Sequence, residues 1–184
     1  LLQDPEKAER CIYRSKYKDL DIIKGSSRLR DDLSDPESIG IALNAIKALG
    51  NYDVVIIDCR TSCENLTRGA LLAADLIITP IHLDGYCRDN LNDVQAVVSD
   101  IKQTNSDAKW VVFANRVKNG KSQQEIFVDL IEKHSYPILE TCVLERAAVS
   151  SSLSLRKPLL KHQSKNQATL DSIDLHKEIC GLAG

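Results

Sequence analysis

The sequence predicts a doubly wound α/β fold, with a mostly parallel sheet and helices on both faces. Two observations favour this class. Apolar runs rich in valine and isoleucine recur along the chain, as expected for parallel strands that are covered on both faces. Segments with helical spacing lie between these runs. The predicted strands are LDIIKG (20–25), YDVVIID (52–58), LIITPI (76–81), KWVVFAN (109–115) and ILETCVL (138–144).

The first clear helix is predicted to begin at Asp35-Pro36, because an aspartate can cap a helix and a proline suits its first position. Apolar residues then recur at helical spacing until Gly50, namely Ile39, Leu43, Ile46 and Leu49. A short helix rich in leucine and alanine is expected between Asp58 and Leu76. Another helix is indicated by Leu91, Val94, Val98 and Ile101.

Two further helices complete the alternation. Ser122-Gln-Gln-Glu125 has the form of a capping box. It should open a helix that buries Ile126, Phe127, Leu130 and Ile131. The last helix is expected over 166–181, with Leu170, Ile173 and Ile179 as its buried positions.

Composition restricts the class of protein. The 184 residues fit one domain, 1–184, of ordinary size. A hydrophobic fraction of 43% with 27% charged residues is typical of a soluble globular protein. No apolar run approaches the roughly 20 residues of a membrane span, so a cytoplasmic location is the default. A net charge of −2 argues against a constitutively basic nucleic-acid binder. Any contact with DNA would therefore be made by a local patch.

The cysteines and histidines predict neither a disulfide framework nor a metal site. The six cysteines contain no CxxC pair. We expect them to be reduced, structural thiols, since free cysteine behaves as a small hydrophobe. The four histidines show no ligand spacing.

Asp58 is the first candidate functional residue, because it closes an apolar strand. In open α/β sheets, ligands bind outside the carboxyl ends of the strands. The alternative for Asp58 is a polar strand-end residue that caps the next helix.

The segment around Asp58 carries a family resemblance. VVIIDC (54–59), ALLAAD (70–75) and LIITPI (76–81) follow one another without a gap, and RKPLLKHQSKNQATLDSIDLHKEI (156–179) closes the chain in step with them. In content and order, these segments resemble the ParA/MinD family of deviant Walker-type P-loop ATPases, which includes ParA/Soj-like partitioning proteins. The resemblance implies a P-loop NTPase-like fold over most of residues 9–182.

Members of that family open with a strand and a glycine-rich loop that holds the phosphates of ATP. We identify no such loop, with its extra lysine, in this sequence, and expect 1–184 to be the carboxyl-terminal portion of a ParA-like ATPase. In the family, the opening strand lies beside the strand that carries Asp58. Without it, unpaired backbone groups and exposed apolar surface are expected at 52–58.

The resemblance implies a catalytic role for Asp58, which matches the family's Walker B aspartate and would hold Mg indirectly, through water. Arg60 and Thr61 stand where paired prolines are usual in the family. The loop is therefore expected to be more mobile or differently shaped. Arg60 either reaches a phosphate or partner subunit, or is simply solvated.

Two further segments correspond to the side of the site that faces the adenine base. Asn115 and Arg116 follow the strand KWVVFA, where the family contacts the base and its surroundings; the alternative for Asn115 is a loop residue that ends a strand. The family's Ile-Pro-Arg-Asn is replaced by Val143-Leu144-Glu145-Arg146. This departure implies either altered nucleotide contacts or a distant branch.

Basic residues crowd two loops. One holds Arg116, Lys118 and Lys121, and the other holds Arg156, Lys157, Lys161, His162 and Lys165. In the family, basic residues near these places bind DNA phosphates without reading sequence. The alternative is a set of ordinary solvated side chains.

The expected function is that of a DNA-partitioning ATPase for plasmid or chromosome segregation. When full length, it would use ATP and Mg, pair as a homodimer, bind DNA nonspecifically and respond to a centromere-binding ParB-like adaptor. It would be cytoplasmic, and nucleoid-associated when bound to DNA. No membrane contact is expected, because the terminal LHKEICGLAG lacks an adequate apolar face. This fragment alone should have no ATPase activity.

Two alternatives remain open at this point. One is a degenerate, non-catalytic interaction module, suggested by Arg60, Thr61, Leu144 and Glu145. The other is a different ParA/MinD branch, such as a regulator of cell division or cellulose synthesis.

Overall fold

The structure is a computed structural model that describes residues 1–2, 4–26, 29, 35–118 and 120–183. A 3-10 helix, Pro5–Cys11, precedes the regular elements. In chain order these are β1 (Ile12–Arg14), β2 (Asp21–Ile23), α1 (Pro36–Ala48), α2 (Asn65–Ala73), β3 (Leu76–Ile81), α3 (Cys87–Thr104), β4 (Lys109–Val117), α4 (Lys121–His134), β5 (Val143–Leu144), α5 (Ala147–Ser154), α6 (Leu159–His162) and α7 (Gln167–Ala183). The chain divides into two compact units, 1–74 with 94–107 and 75–93 with 108–184.

The second unit contains a parallel sheet in the order β3-β4-β5. β3 and β4 pair continuously from Leu76 opposite Lys109 to Ile81 opposite Ala114. β5 pairs with the end of β4, and Val112 forms an isolated parallel bridge with Ile138. Parallel neighbours require a crossover segment between them. Here α3 and α4 lie in the chain between successive strands.

The core of this unit is apolar and closely packed. Val112 and Ala114 on the central strand are fully buried, and Leu91 and Leu130 are 1% exposed. Trp110 packs against this cluster and donates its indole N–H to Thr79 Oγ1 at 3.1 Å. The Trp110 ring meets the Tyr136 ring edge to face, with 6.4 Å between centroids. Burial of these side chains supplies the main driving force for forming the sheet.

Several sequence predictions are confirmed. LIITPI is the strand β3 over its full length, and KWVVFAN is the strand β4, which extends two residues further to Val117. α1 begins at Pro36, and Asp35 caps it by accepting a hydrogen bond from Ser38 N at 2.9 Å. The helices predicted after Asp58, around Leu91 and near the carboxyl end are α2, α3 and α7.

The strand predicted at 52–58 is wrong. This segment has no regular secondary structure, and its apolar side chains are exposed, with Val54 at 69% and Ile56 at 88%. A strand needs a neighbour for its backbone N–H and C=O groups. No other strand among the described residues pairs with this segment. The exposed apolar surface matches what the sequence led us to expect for an unpaired run.

The segment LDIIKG forms a strand of a different kind from the one predicted. β2 covers only Asp21–Ile23 and pairs antiparallel with β1, with Ile12 opposite Ile23. Ile22 and Ile23 are 46% and 39% exposed. A two-stranded antiparallel ribbon leaves much of its surface open, so this run is not covered on both faces.

The predicted strand 138–144 is shorter in the structure. Only Val143 and Leu144 form β5, because the backbone N–H groups of Glu140 and Thr141 donate to the Glu178 carboxylate instead of to a strand. The segment between the Ile138 bridge and β5 is therefore held by a side chain of α7.

Some buried positions in α4 and α7 also differ from prediction. Leu130 is buried, Ile126 and Phe127 are partly buried, and Ile131 is 46% exposed. In α7, Leu170 is 43% exposed and the buried positions are Ala168, Thr169 and Asp171. Asp171 is buried because it has hydrogen-bond partners, which apolar periodicity cannot reveal.

The first unit is organised around the contact between α1 and α2. Gly69 lies where the helices approach closely: a Cβ there would clash with Ile39 Cβ and lie 2.9 Å from Pro36 O. Asn105 Nδ2 donates to Leu72 O at 3.1 Å and Ala74 O at 2.9 Å, which satisfies the carbonyl end of α2. Within the part of the chain that the structure describes, every helix is too short or too polar to cross a bilayer.

Candidate functional site

The carboxyl ends of β4 and β5 bring two predicted segments together. Asn115 pairs with Val143, and Val117 pairs with Leu144 across a shift in register. The Glu145 N–H then donates to Val117 O at 2.9 Å. Asn115-Arg116 and Leu144-Glu145, both predicted on the base-facing side of a nucleotide site, are therefore adjacent. Carboxyl ends of parallel strands are the usual ligand edge of an α/β sheet.

One carboxylate joins two basic residues at this edge. Glu145 Oε1 accepts from Arg116 Nη2 at 2.9 Å, and Glu145 Oε2 lies 3.1 Å from Lys118 Nζ. We refer to Arg116, Lys118 and Glu145 as the Glu145 cluster. The Arg116 guanidinium, followed by the Lys118 ammonium, holds the pKa of Glu145 below its usual range. The carboxylate is therefore ionised at neutral pH.

The backbone at Arg116 is turned into the left-handed region, with φ of 54°. This conformation is uncommon for a residue with a side chain. Asn115 stabilises the turn, because its Oδ1 accepts a hydrogen bond from the Arg116 N–H at 2.9 Å. The amide oxygen of Asn115 thus has a structural role within β4, which continues to Val117.

Gln123 anchors the loop, and the sequence analysis did not identify it. Its Oε1 accepts from the Lys118 N–H at 2.7 Å, and its Nε2 donates to Leu83 O at 3.1 Å. The capping box predicted at Ser122 and Glu125 is not formed, since α4 has Gly120 at its N-cap and no side-chain cap. The polar residues 122–125 suggested a cap, but one of them, Gln123, holds the loop instead.

Gly120-Lys121-Ser122 has the ending of a phosphate-binding loop, and it forms the N-cap and first two residues of α4. The full pattern, G-x-x-x-x-G-K-[ST], requires a glycine at position 115. Asn115 stands there and belongs to β4. Lys121 lies 3.9 Å from Glu125 on the same helix. The tripeptide is therefore an ordinary strand-to-helix connection and does not supply the missing loop.

Helix α7 supports the segment that leads to Glu145. Asp171 is 8% exposed, and its Oδ2 accepts from the Leu144 N–H at 3.2 Å. Glu178 accepts from the N–H groups of Glu140 at 2.8 Å and Thr141 at 3.0 Å. Burial opposes the charge on Glu178, but these hydrogen bonds outweigh it and lower its pKa. Two acidic side chains of α7 thus fix this segment.

The second basic loop connects α5 to α6. Arg156 has a left-handed φ of 51°, and Ser152 Oγ donates to Lys157 O at 2.6 Å across the turn. The side chains of Arg156, Lys157, Lys161 and Lys165 are exposed. His162 Nε2 lies 3.0 Å from Ser151 Oγ, which ties α6 to α5. The loop presents positive charge from a fixed backbone.

Asp58 is exposed and lies in the irregular segment of the first unit, whereas Asn115 and Arg116 belong to the second. Arg60 and Thr61 follow Asp58 and are exposed as well. Across the described ranges, no group of three or more His, Cys, Asp or Glu side chains is arranged to hold a metal ion. All six cysteines are free thiols, of which Cys59 and Cys180 are exposed. The exposure of these two differs from the structural role that we expected for all six.

Comparison with known proteins identifies the family of the chain. Residues 1–110 match the family model AAA_31, described as an AAA domain. A virulence plasmid ParA family protein of Chlamydia psittaci is 25% identical over 185 residues, covering 97% of this chain and 71% of that protein. The chain spans 55% of the length of the chromosome partitioning protein ParA of Caulobacter vibrioides, and also 55% of the sporulation initiation inhibitor protein Soj of Bacillus subtilis.

Two solved structures have a similar fold. A plasmid partition protein from Borrelia burgdorferi superposes with a TM-score of 0.67 at 18% identity, over 96% of this chain and 70% of that one. A cobyrinic acid a,c-diamide synthase from Mycobacterium smegmatis, with bound ADP and magnesium, gives a TM-score of 0.69 at 22% identity, over 79% of this chain and 62% of that one.

The parallel sheet, its covering helices and these neighbours define an α/β protein with a P-loop NTPase-like fold. Within that class, the chain belongs to the AAA-domain family AAA_31 and is a member of the ParA/MinD family of P-loop ATPases.

Proposed function

We propose that the full-length protein is a DNA-partitioning ATPase, which binds ATP, pairs as a homodimer and contacts DNA without reading its sequence. The observation that carries this proposal is the meeting of Asn115-Arg116 and Leu144-Glu145 at the carboxyl ends of adjacent parallel strands. The partition proteins among the relatives support the cellular role.

ATP would be held at two places. For its base-facing side we propose Asn115 and Arg116, which lie near the carboxyl end of β4, where a hydrogen bond from the Arg116 N–H to Asn115 Oδ1 holds the backbone turn. The phosphates would be held by a glycine-rich loop that this chain does not supply. The Mycobacterium smegmatis neighbour binds ADP and magnesium, which supports the same chemistry here.

Asp58 would act on the metal side, as a carboxylate that orders water bound to Mg. Its exposure in the structure keeps it accessible to such water, and hard cations prefer oxygen ligands. The described residues do not complete a metal site by themselves. Asp58 therefore has a supporting position in the proposed site.

DNA would be contacted by Lys118, Lys121, Arg156, Lys157, Lys161 and Lys165. The exposure of all six side chains supports this assignment. Contacts of this kind gain affinity from counterion release and carry little sequence information. A centromere-binding ParB-like adaptor would then stimulate the nucleotide cycle. The protein would be cytoplasmic, and nucleoid-associated while bound to DNA.

The test is DNA retention by the protein extended upstream of Leu1. We expect retention that requires ATP and is lost when Lys161 and Lys165 are both changed to Gln. The matched control changes Lys133 and Lys177 to Gln, which are lysines of the same unit that are exposed by 71% and 70%. Equal loss of DNA retention in both double variants would contradict a specific role for Lys161 and Lys165. ATP-independent retention would contradict the partition mechanism.

A second candidate is a non-catalytic interaction module of the same family. It is favoured by one observation: Glu145 already occupies the Arg116 guanidinium, which otherwise would face the nucleotide. The upstream gene sequence separates the two candidates. An intact lysine-bearing glycine loop favours the ATPase, and a disrupted loop favours the module.

A further inference from the structure

Glu145 contacts two cationic side chains to which the proposed function gives a ligand. These are Arg116, proposed for the nucleotide, and Lys118, proposed for DNA. Arg116 and Lys118 are each 68% exposed, and Glu145 is 34% exposed between them. Exposed ion pairs contribute little to stability. The contacts therefore matter more for what these cations can bind than for holding the fold together.

The backbone keeps the carboxylate in place. The Glu145 N–H is hydrogen-bonded to Val117 O, on the strand that leads into Lys118. On the other side, the Lys118 N–H is held by Gln123, and the turn at Arg116 is held by Asn115. The backbone N–H group of each residue in the Glu145 cluster is thus hydrogen-bonded. For Glu145 and Lys118 the partner lies on a neighbouring element. The pairing is built into the end of the sheet.

A carboxylate and a phosphate use the same donors. Both accept hydrogen bonds from guanidinium and ammonium groups, and arginine binds either of them through its planar fork. A phosphate that approaches Arg116 or Lys118 must displace Glu145 or share the donors with it. The carboxylate also reduces the formal charge of the cluster from +2 to +1.

We infer that Glu145 is an internal competitor for nucleic-acid phosphate and sets how many phosphates this loop can contact. This inference rests on the proposed contact with DNA. It adds a residue, Glu145, that limits affinity for DNA without itself contacting a phosphate. The ligand class is the phosphate backbone of a duplex.

The test compares duplex DNA binding by the full-length protein, with ATP, over a series of salt concentrations. Glu145→Gln keeps the shape of the side chain and removes its charge. We expect tighter binding at low salt, and a logarithmic salt dependence steeper by about 1 to 2, since each added phosphate contact contributes about 0.9 on B-DNA. Adding Lys118→Gln to that variant should make the logarithmic salt dependence shallower by about 1.

Glu132→Gln is the matched control, because it makes the same charge change at an exposed residue of α4. If wild type binds DNA and Glu145→Gln behaves like Glu132→Gln, the competitor role is wrong and the proposed function stands. If folded wild type and Glu145→Gln both fail to bind, the DNA contact and the inference fail together. A third measurement is independent of DNA: in the folded protein, an ordinary pKa for Glu145, unchanged by Arg116→Gln, would show that the cluster does not form.

Discussion

Glu145 and Glu178 are two glutamates whose surroundings favour the charged form for different reasons. Glu145 is held by two side-chain cations on the surface, whereas Glu178 is held by two backbone N–H groups. Surface ion pairs are screened by salt, and hydrogen bonds to a partly buried carboxylate are screened less. Glu145 is therefore suited to exchange partners, and Glu178 is suited to fix the segment 140–145.

Because of Glu178, the free energy of unfolding should change with pH in the acidic range. Its pKa is lowered in the folded state, so its contribution is fully present above the unfolded-state pKa and is lost as pH falls through the folded-state pKa. Urea unfolding at a series of pH values should show Glu178→Gln less stable than wild type near neutrality. The difference should shrink in acid. A difference that stays constant with pH would mean that the charge of Glu178 makes no contribution.

At the scale of elements, the α1–α2 contact depends on Gly69. Alanine is normally the better helix former by about 1 kcal/mol. At position 69, however, a Cβ would overlap Ile39 Cβ, so the helices would have to separate. The absence of a side chain at Gly69 allows the two helices to approach closely. This packing requirement outweighs the low helix propensity of glycine.

We expect Gly69→Ala to destabilise the protein by about 1–3 kcal/mol, the usual cost of overpacking a well-packed contact. The measurement is the free energy of unfolding in urea. Gly40→Ala is the control, since a Cβ at that position would meet Leu72 Cβ at an ordinary 3.4 Å. If both variants are equally stable, the α1–α2 contact is looser than the structure indicates.

Elements whose pattern and partners both lie within the chain could be predicted from the sequence. β3 and β4 are apolar runs that pair with each other, and α1 has its own cap at Asp35. The run 52–58 has the same apolar pattern as β3 but has no neighbouring strand among the described residues. Periodicity indicates which residues favour a sheet, and it contains no information about whether a pairing partner exists.

The candidate site was predictable in position and not in detail. Strand ends placed Asn115, Arg116 and Glu145 at one edge of the sheet. The ion pairs of Glu145 and the anchoring role of Gln123 depend on side-chain geometry across elements. Asp171 was missed for the same reason, because its burial depends on the Leu144 N–H, 27 residues away in the chain.

At the scale of the whole molecule, the chain divides into two compact units. Asp58, which we propose for the metal side, belongs to the first unit, and Asn115 and Arg116, which we propose for the base side, belong to the second. Phosphoryl transfer depends on positioning and charge neutralisation around the phosphates. Residues 1–184 provide the exposed carboxylate of Asp58 and the strand end that we propose for the base side, and the proposed turnover additionally needs a phosphate-binding loop.

We therefore expect the isolated 184-residue chain to show no ATP turnover above background in a phosphate-release assay. Turnover that is abolished by Asp58→Ala, but retained in the control Asp53→Ala, would show that this expectation is wrong. Asp53 is a suitable control because it is an exposed aspartate of the same segment. Background turnover that is equal in all three chains would support the expectation.

The edge-to-face contact of Trp110 with Tyr136 has a practical consequence. Trp110 is the single tryptophan of the sequence, and its indole lies against the core of the second unit. Intrinsic fluorescence excited at the indole band therefore reports on that unit alone. Circular dichroism, which averages over all helices, covers both. A mismatch between the two signals during denaturation would reveal that the units melt separately.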